Sequence, residues 1–139
     1  MARFVVIDAS PLIGLAIVDG LKWLPELFGT VFLPESVKQE VLPGKSAHGE
    51  DAISHAVNAG WLTVWPEPIE SQLDIDLDAG ETDCINLGLS HADEVLLVMN
   101  ELILAEAHRQ SYQKTAKKAD RFIARPGADS LNLWHRLSL

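Results

Sequence analysis

The chain has 139 residues, of which 47% are hydrophobic and 22% charged, with a formal net charge of −9. This length suits one globular domain with a core of its own. The sequence contains no apolar run as long as a membrane span, and its first residues lead directly into an apolar segment rather than a signal peptide. One cysteine, Cys84, excludes an intrachain disulfide, which predicts a cytoplasmic protein in a reducing compartment.

Acidic and basic residues are unevenly distributed along the chain. Residues 1–108 hold 18 acids and 4 bases, whereas residues 109–139 hold 7 bases and 2 acids. The acidic part argues against broad electrostatic capture of nucleic acid, because that requires Lys and Arg to neutralise phosphates. It is compatible with clustered carboxylates that bind a divalent cation.

The first segment joins a buried strand to an aspartate and a helix. Residues 4–7 (FVVI) are typical of a strand buried on both faces of a parallel sheet. Asp8 follows directly, and Ser10 and Pro11 suit a helix start, so a helix is expected over residues 11–18. Ligands of open α/β sheets bind beyond the carboxyl ends of the strands, which makes Asp8 a candidate site residue. A turn or capping role for Asp8 is the alternative.

The next elements continue the alternation of helices and strands. The sequence predicts helices over residues 21–28, 34–42 and 51–59, and strands over residues 30–33 and 61–65. Inward-facing positions of the helix at 51–59 are expected at Ala52, Ile53, Ala56 and Val57. Glu40 flanks the buried stripe formed by Val37 and Val41, so its carboxylate can reach the rim of a crevice. A solvated helix glutamate would show the same pattern.

Seven acids and no base occur between residues 67 and 83. Most of this run is expected to be a solvated loop, but Gly80-Glu81-Thr82-Asp83 leads into a helix over residues 84–89. Acids near a helix start are favoured by the helix dipole, which is the structural explanation for them. Asp83 is the functional candidate, with Glu81 beside it. A purely aliphatic strand over residues 95–98 follows and ends at Met99-Asn100-Glu101.

A long helix is predicted beyond Glu101. Its apolar stripe runs from Ala105 to Ile123, and a basic stripe runs from Lys114 to Arg125. A four-stranded sheet is too small to cover the apolar stripe alone, so we expect part of it to pack on a second copy in a symmetric homodimer. The basic stripe would then line an RNA path or pair with the acidic loop at residues 67–83. A last amphipathic segment is expected over residues 131–137.

This order of elements predicts an α/β fold with a mostly parallel sheet of four to five strands flanked by helices. Asp8, Glu40 and Asp83 could converge at one edge of that sheet. Crowded carboxylates repel one another, and a divalent cation or a shared proton offsets the repulsion. Oxygen ligands of this kind suit Mg²⁺ or Mn²⁺, which can activate a water and stabilise charge on a phosphodiester.

Three segments together resemble the motifs of PIN domains, the small metal-dependent nuclease fold of VapC-type toxins. Residues 5–13 (VVIDASPLI) resemble the first motif and residues 32–41 (FLPESVKQEV) the second. Residues 79–89 (AGETDCINLGL) resemble the "GE" version of the third motif, found in a VapC-related subgroup of unknown function. The resemblance implies a PIN-like three-layer core over residues 1–100, with residues 101–139 as a divergent helical C-terminal part of the same domain.

The resemblance also implies a function: a toxin–antitoxin endoribonuclease that uses Mg²⁺ or Mn²⁺, with RNA as substrate and a cognate antitoxin as partner. Its catalytic and metal-binding acids fall on Asp8, Glu40 and Asp83. The accessory candidates are Glu81, Ser10, Glu101 and Asn100. The family usually has another acid at the position of Met99 or Asn100 and a fifth strand beyond it. This sequence has no acid at either position and shows no convincing fifth strand, so a divergent or frame-altered C-terminal end is one interpretation.

Two other interpretations remain open at this point. One is a catalytically weak or inactive PIN-like module that acts by binding a partner or by self-association. The other is a phosphoryl-transfer domain with Asp8 as nucleophile. Such a domain would need a Lys and a Ser or Thr after later strands, whereas the fourth strand here is followed by Met99 and Asn100.

Overall fold

The computed structural model describes residues 3–71, 76–100 and 102–110. Within them the strands are β1 (Phe4–Ile7), β2 (Val31–Leu33), β3 (Leu62–Val64) and β4 (Val95–Val98). The helices are α1 (Ala9–Ile17), α2 (Trp23–Phe28), α3 (Glu35–Val41), α4 (Glu50–Ala59) and α5 (Ala79–Ser90). Residues 102–110 are also helical. None of the helices described here is long and apolar enough to cross a membrane.

The four described strands form one parallel sheet in the order β3-β2-β1-β4. Along the chain, β2 and β3 are added on one side of β1, and β4 is then added on the other side. The sheet therefore has a topological switch point between β1 and β4, which is where ligands bind in open α/β folds. The predicted α/β fold with a parallel sheet is confirmed.

The core explains why the strand segments are uninterrupted apolar runs. Val6, Ile7, Val31, Leu33 and Leu97 are fully buried within the sheet. Helix α5 packs on β1, β4 and α3, while α1 packs on α3 and α4. Helix α5 therefore lies beside the two strands of the switch point, and α3 lies against α5 and α1.

Three predicted helix starts are wrong, that of α2 by two residues. Helix α1 begins at Ala9 rather than at Pro11. Proline is tolerated there because the N–H groups of a first helical turn have no partner within the helix, so the missing N–H costs nothing. Helix α5 begins at Ala79 rather than at Cys84, because Asp78 caps it in an arrangement described below.

Two predicted inward faces also need correction. In α4, Ile53 and Ala56 are buried as expected, but Ala52 is exposed. In the helix at residues 102–110, Leu104 and Ala107 are buried and Ala105 is exposed, so the start of the predicted apolar stripe is wrong. The rest of that stripe, the basic stripe and the segment at residues 131–137 lie outside the described residues. The homodimer stays a prediction.

Candidate functional site

Asp8 lies at the switch point of the sheet. It follows β1, and its backbone N–H donates a 3.0 Å hydrogen bond to the carbonyl of Val98 at the end of β4. The residue is only 2% exposed. It occupies the N-cap position of α1, yet its carboxylate makes no capping hydrogen bond further into that helix. The usual helix cap, a bond to the second or third N–H of the helix, is therefore not the role of this aspartate.

The environment of Asp8 disfavours its charged form. Burial raises the pKa of the Asp8 carboxyl, and the negative charge of Asp78 raises it further, while hydrogen bonds from the Ala9 N–H and the Cys84 thiol lower it. The Cys84 sulfur lies 3.9 Å from Asp8 Oδ1. Burial, followed by the charge of Asp8, raises the thiol pKa well above its usual value, so Cys84 remains a neutral, weak donor to the carboxylate.

Glu40 reaches the same region from the last turn of α3. A Cβ atom on Gly80 of α5 would lie 3.1 Å from Val37 Cγ2 and 3.2 Å from Glu40 Oε2. The same Cβ would lie 3.6 Å from Asp78 Oδ1. Glycine at position 80 therefore allows α5 to approach α3 closely, and this contact places the Glu40 carboxylate beside the N-terminus of α5.

Asp78 lies beside Glu40 and Glu81, although its sequence context predicts an acid of a solvated loop. Its Oδ1 accepts a 2.8 Å hydrogen bond from the backbone N–H of Glu81, and Glu81 Oε2 accepts a 3.3 Å bond from the N–H of Asp78. These reciprocal bonds form a capping box that starts α5. The acid-x-x-Glu spacing at residues 78–81 was the sequence signal that could have identified it.

Asp78 also links the four acids electrostatically. Partial burial of the carboxyl, followed by the charges of Asp78 and Asp8, raises the pKa of Glu40. Burial and the charge of Asp78 raise the pKa of Glu81, with a smaller effect from Asp8. We call Asp8, Glu40, Asp78 and Glu81 the acidic group. Three of its four members have raised pKa values, mainly because burial disfavours their charged forms and in smaller part because the neighbouring carboxylates repel one another.

Asp83 lies at the same edge of the sheet but has a different partner. Its Oδ2 accepts a 2.6 Å hydrogen bond from the hydroxyl of Ser36, in the first turn of α3 directly after β2. Its charge acts on the Cys84 thiol, whereas the pKa values of Asp8, Glu40 and Glu81 respond to Asp78. The role of Asp83 as a metal ligand stays a prediction.

The accessory candidates are placed as follows. Ser10 is exposed in the first turn of α1. Asn100 Oδ1 accepts a 2.8 Å hydrogen bond from the backbone N–H of Leu102, so this side chain caps the helix at residues 102–110. Met99 is buried, with 7% of its surface exposed. Glu101 lies outside the described residues.

The chemistry of the acidic group fits a hard divalent cation. Its members offer only carboxylate oxygens, which are the ligands that Mg²⁺ and Mn²⁺ prefer. None of the ion pairs found in the described residues joins a Lys or Arg to this group. In the same part of the chain, no three His, Cys, Asp or Glu side chains are arranged so that they could hold a metal ion. The donor type therefore suits a cation, although the acids do not form a coordination shell in this structure.

The fold and the position of these acids define an α/β domain with a group of carboxylates near the switch point of its parallel sheet. A family model described as a PIN domain matches residues 4–114, most of the chain, so this protein belongs to the PIN-domain family. No significant match to a curated protein or to a solved structure was found. The predicted relationship is thus confirmed for the PIN domain, while the VapC-like "GE" subgroup stays a prediction.

Proposed function

We propose that this protein is a metal-dependent endoribonuclease of the toxin–antitoxin type that hydrolyses RNA phosphodiesters. Membership in the PIN-domain family suggests a nuclease-type function. The observation that carries the proposal is the buried Asp8 at the switch point, coupled through its charge to Glu40 and Asp78. Among the described residues, no ion pair joins a Lys or Arg to these carboxylates. Such a grouping destabilises the metal-free fold, and a bound cation would offset that cost.

The proposal includes Mg²⁺ or Mn²⁺, since PIN domains generally use divalent metal ions. Asp8 and Glu40 would hold the ion together with Asp78 and Asp83, which come from the beginning of α5. When bound, the ion supplies positive charge that stabilises the developing charge on a phosphate and lowers the pKa of a water.

Several side chains have specific roles in the proposed metal binding. The carboxyls with raised pKa values must lose their protons to bind a cation, so metal binding releases protons. Burial of Asp8 keeps bulk water away from its carboxylate, and the Cys84 thiol donates to one of its oxygens without adding charge. The ionised acidic group repels phosphates, so RNA approaches this edge of the sheet favourably only after a cation has been bound.

A metal titration tests the proposal. Calorimetry of the full chain with Mn²⁺ should detect a binding site that is lost in Asp8→Asn. The control is Glu26→Gln, which removes an exposed acid from α2 and should leave Mn²⁺ affinity unchanged. The wild-type chain should cleave single-stranded RNA with Mg²⁺ and not with EDTA. A folded wild-type chain that binds no Mn²⁺ at millimolar concentration would contradict the proposal.

The alternative is a PIN-like module that acts by binding a partner rather than by catalysis. It is favoured by the separation of the acids, since no metal-binding set forms among the described residues. It is also favoured by the buried Met99 and the capping Asn100 at positions where the family usually has an acid. A folded chain without Mn²⁺ binding or RNA cleavage is the result expected from this alternative.

A cognate antitoxin and a second copy of the chain are the protein partners we propose, with the cytoplasm as the location. Support for a protein partner comes from apolar side chains of α1, α2 and the turn between them, which are between 39% and 72% exposed. These side chains are Ile17, Val18, Trp23, Leu27 and Phe28. Exposed apolar surface of this kind is typical of protein contacts. Sedimentation velocity of the chain alone tests the homodimer.

A further inference from the structure

Ser36 joins the two helices that carry most of the acidic group. It lies in the first turn of α3, is half-buried, and donates its hydroxyl to Asp83 of α5 at 2.6 Å. This distance is typical of a charge-assisted hydrogen bond between a hydroxyl and a carboxylate, which is stronger than a bond between neutral groups. The bond therefore ties the beginning of α3 to α5.

A second contact between the helices lies one turn further along α3. Ser36 and Glu40 are four residues apart and share one face of α3, while Gly80 and Asp83 are three residues apart and share one face of α5. Ser36 meets Asp83, and the carboxylate of Glu40 lies next to Gly80. Two contacts along one seam fix both the separation and the relative orientation of the helices.

The charges along this seam oppose the contact that Ser36 maintains. Glu40 on α3 faces Asp78 on α5, and each residue carries a carboxylate. Without the Ser36 hydroxyl, Asp83 would lose its donor on α3 and add its own unsatisfied charge to the seam. The expected response is separation of α3 from α5, which carries Glu40 away from Asp8 and Asp78.

We propose that Ser36 is a positioning residue that holds α3 against α5 and so sets the place of Glu40 within the acidic group. It acts through Asp83 and does not itself touch the cation. This inference rests on the proposed function, because the consequence of the positioning is metal affinity. Hydrogen bonds that orient ligating carboxylates typically change metal affinity by about ten- to a hundredfold when they are removed.

Three variants of the full chain test the inference by Mn²⁺ calorimetry. Ser36→Ala should raise the Kd for Mn²⁺ about ten- to a hundredfold, whereas Ser36→Thr, which keeps the hydroxyl, should remain within about threefold of wild type. Thr63→Ala is the control, because it removes a hydroxyl of the far edge strand β3 that donates to the Gly60 carbonyl at the end of α4. A Kd for Ser36→Ala equal to that of the wild type would overturn the inference.

Amide hydrogen exchange of the metal-free protein provides a readout that does not depend on the metal. In Ser36→Ala, exchange should become faster in α3 and in the first turns of α5 and remain unchanged in α4, a pattern that general destabilisation would not produce. If Ser36→Ala does not fold, Ser36→Val can be compared with Ser36→Thr. These two variants have side chains of nearly the same shape and differ in the hydroxyl that donates to Asp83. Wild-type protein without Mn²⁺ binding would contradict the proposed function alone. Unchanged exchange in α3 and α5 would contradict the positioning role by itself.

Discussion

Replacement of Gly80 by alanine tests the close approach of α3 and α5 on which the acidic group depends. Gly80 is buried in the first turn of α5. The added Cβ would lie 3.1 Å from Val37 Cγ2 and 3.2 Å from Glu40 Oε2. Carbon atoms in contact prefer a separation of about 3.5–4.0 Å, so the neighbours must move by a few tenths of an ångström.

The two neighbours differ in their freedom to move. Val37 is fully buried, so it can yield only if α3 itself shifts. The exposed Glu40 side chain can swing away from α5. Overpacking of this kind costs about 1–3 kcal/mol, against a gain of up to about 1 kcal/mol from the better helix propensity of alanine. We expect Gly80→Ala to lower the free energy of unfolding by about 1 kcal/mol and to weaken Mn²⁺ binding, because Glu40 is displaced.

Gly14→Ala is the matched control for this experiment. Gly14 is an exposed glycine inside α1, and a Cβ there would have no heavy atom within 4 Å. With propensity as the only effect, the variant should be more stable than wild type by about 0.5–1 kcal/mol. Urea unfolding of both variants, with Mn²⁺ calorimetry, gives the comparison. If Gly80→Ala were stabilised as much as Gly14→Ala and bound Mn²⁺ like wild type, the close contact between α3 and α5 at Gly80 would be refuted.

Two further predictions concern the charges of the acidic group. The pKa values of three carboxyls, those of Asp8, Glu40 and Glu81, are raised in the folded protein. Above about pH 4 the folded protein therefore binds more protons at these groups than the unfolded chain does. The free energy of unfolding of the metal-free protein should fall as pH rises from about 4 towards neutrality. Urea unfolding at pH 5 and pH 7 measures this change in the free energy of unfolding. Asp8→Asn should reduce the change and should be more stable than wild type at pH 7. A clear loss of melting temperature in that variant would instead indicate a structural role for Asp8. Asp78→Ala should remove the cap of α5 at a cost of about 0.5–2 kcal/mol in urea unfolding, partly offset by reduced repulsion, and should lower the pKa of Glu40 in an NMR titration. An unchanged Glu40 pKa would show that Asp78 is not its electrostatic neighbour.

The strands were the part of the fold most open to prediction from sequence. Residues 95–98 are purely aliphatic, and β4 occupies the predicted positions. A run of this kind is too short for a helix, and it lacks the alternation of apolar and polar residues that is typical of a surface strand. The helix starts were harder to place, because they depend on which side chain finds a backbone N–H. The bonds between Asp78 and Glu81 begin α5 five residues before the predicted position, Cys84.

The membership of the acidic group could be predicted only in part. Asp8 was identifiable because its position follows from the end of a single strand. Glu40 was identifiable as the acid that flanks a buried stripe. The proximity of Asp78 to Glu40 depends on how closely α3 approaches α5 at Gly80, which is a tertiary contact. The hydrogen bond from Ser36 to Asp83 likewise joins residues 47 positions apart, so no local pattern encodes it.

The pairing of β1 with β4 has a consequence for the order in which the chain acquires its structure. Phe4 pairs with Val95, and the N–H of Asp8 donates to the carbonyl of Val98, so the first of the four described strands is held on this side by the fourth. Closing so long a loop costs chain entropy and slows folding. Asp8, Glu40 and Asp78 all leave the ribosome before β4 does. The growing chain therefore carries these acids before it has the strand that holds Asp8 among them, and the acidic group can assemble only after β4 has been synthesised.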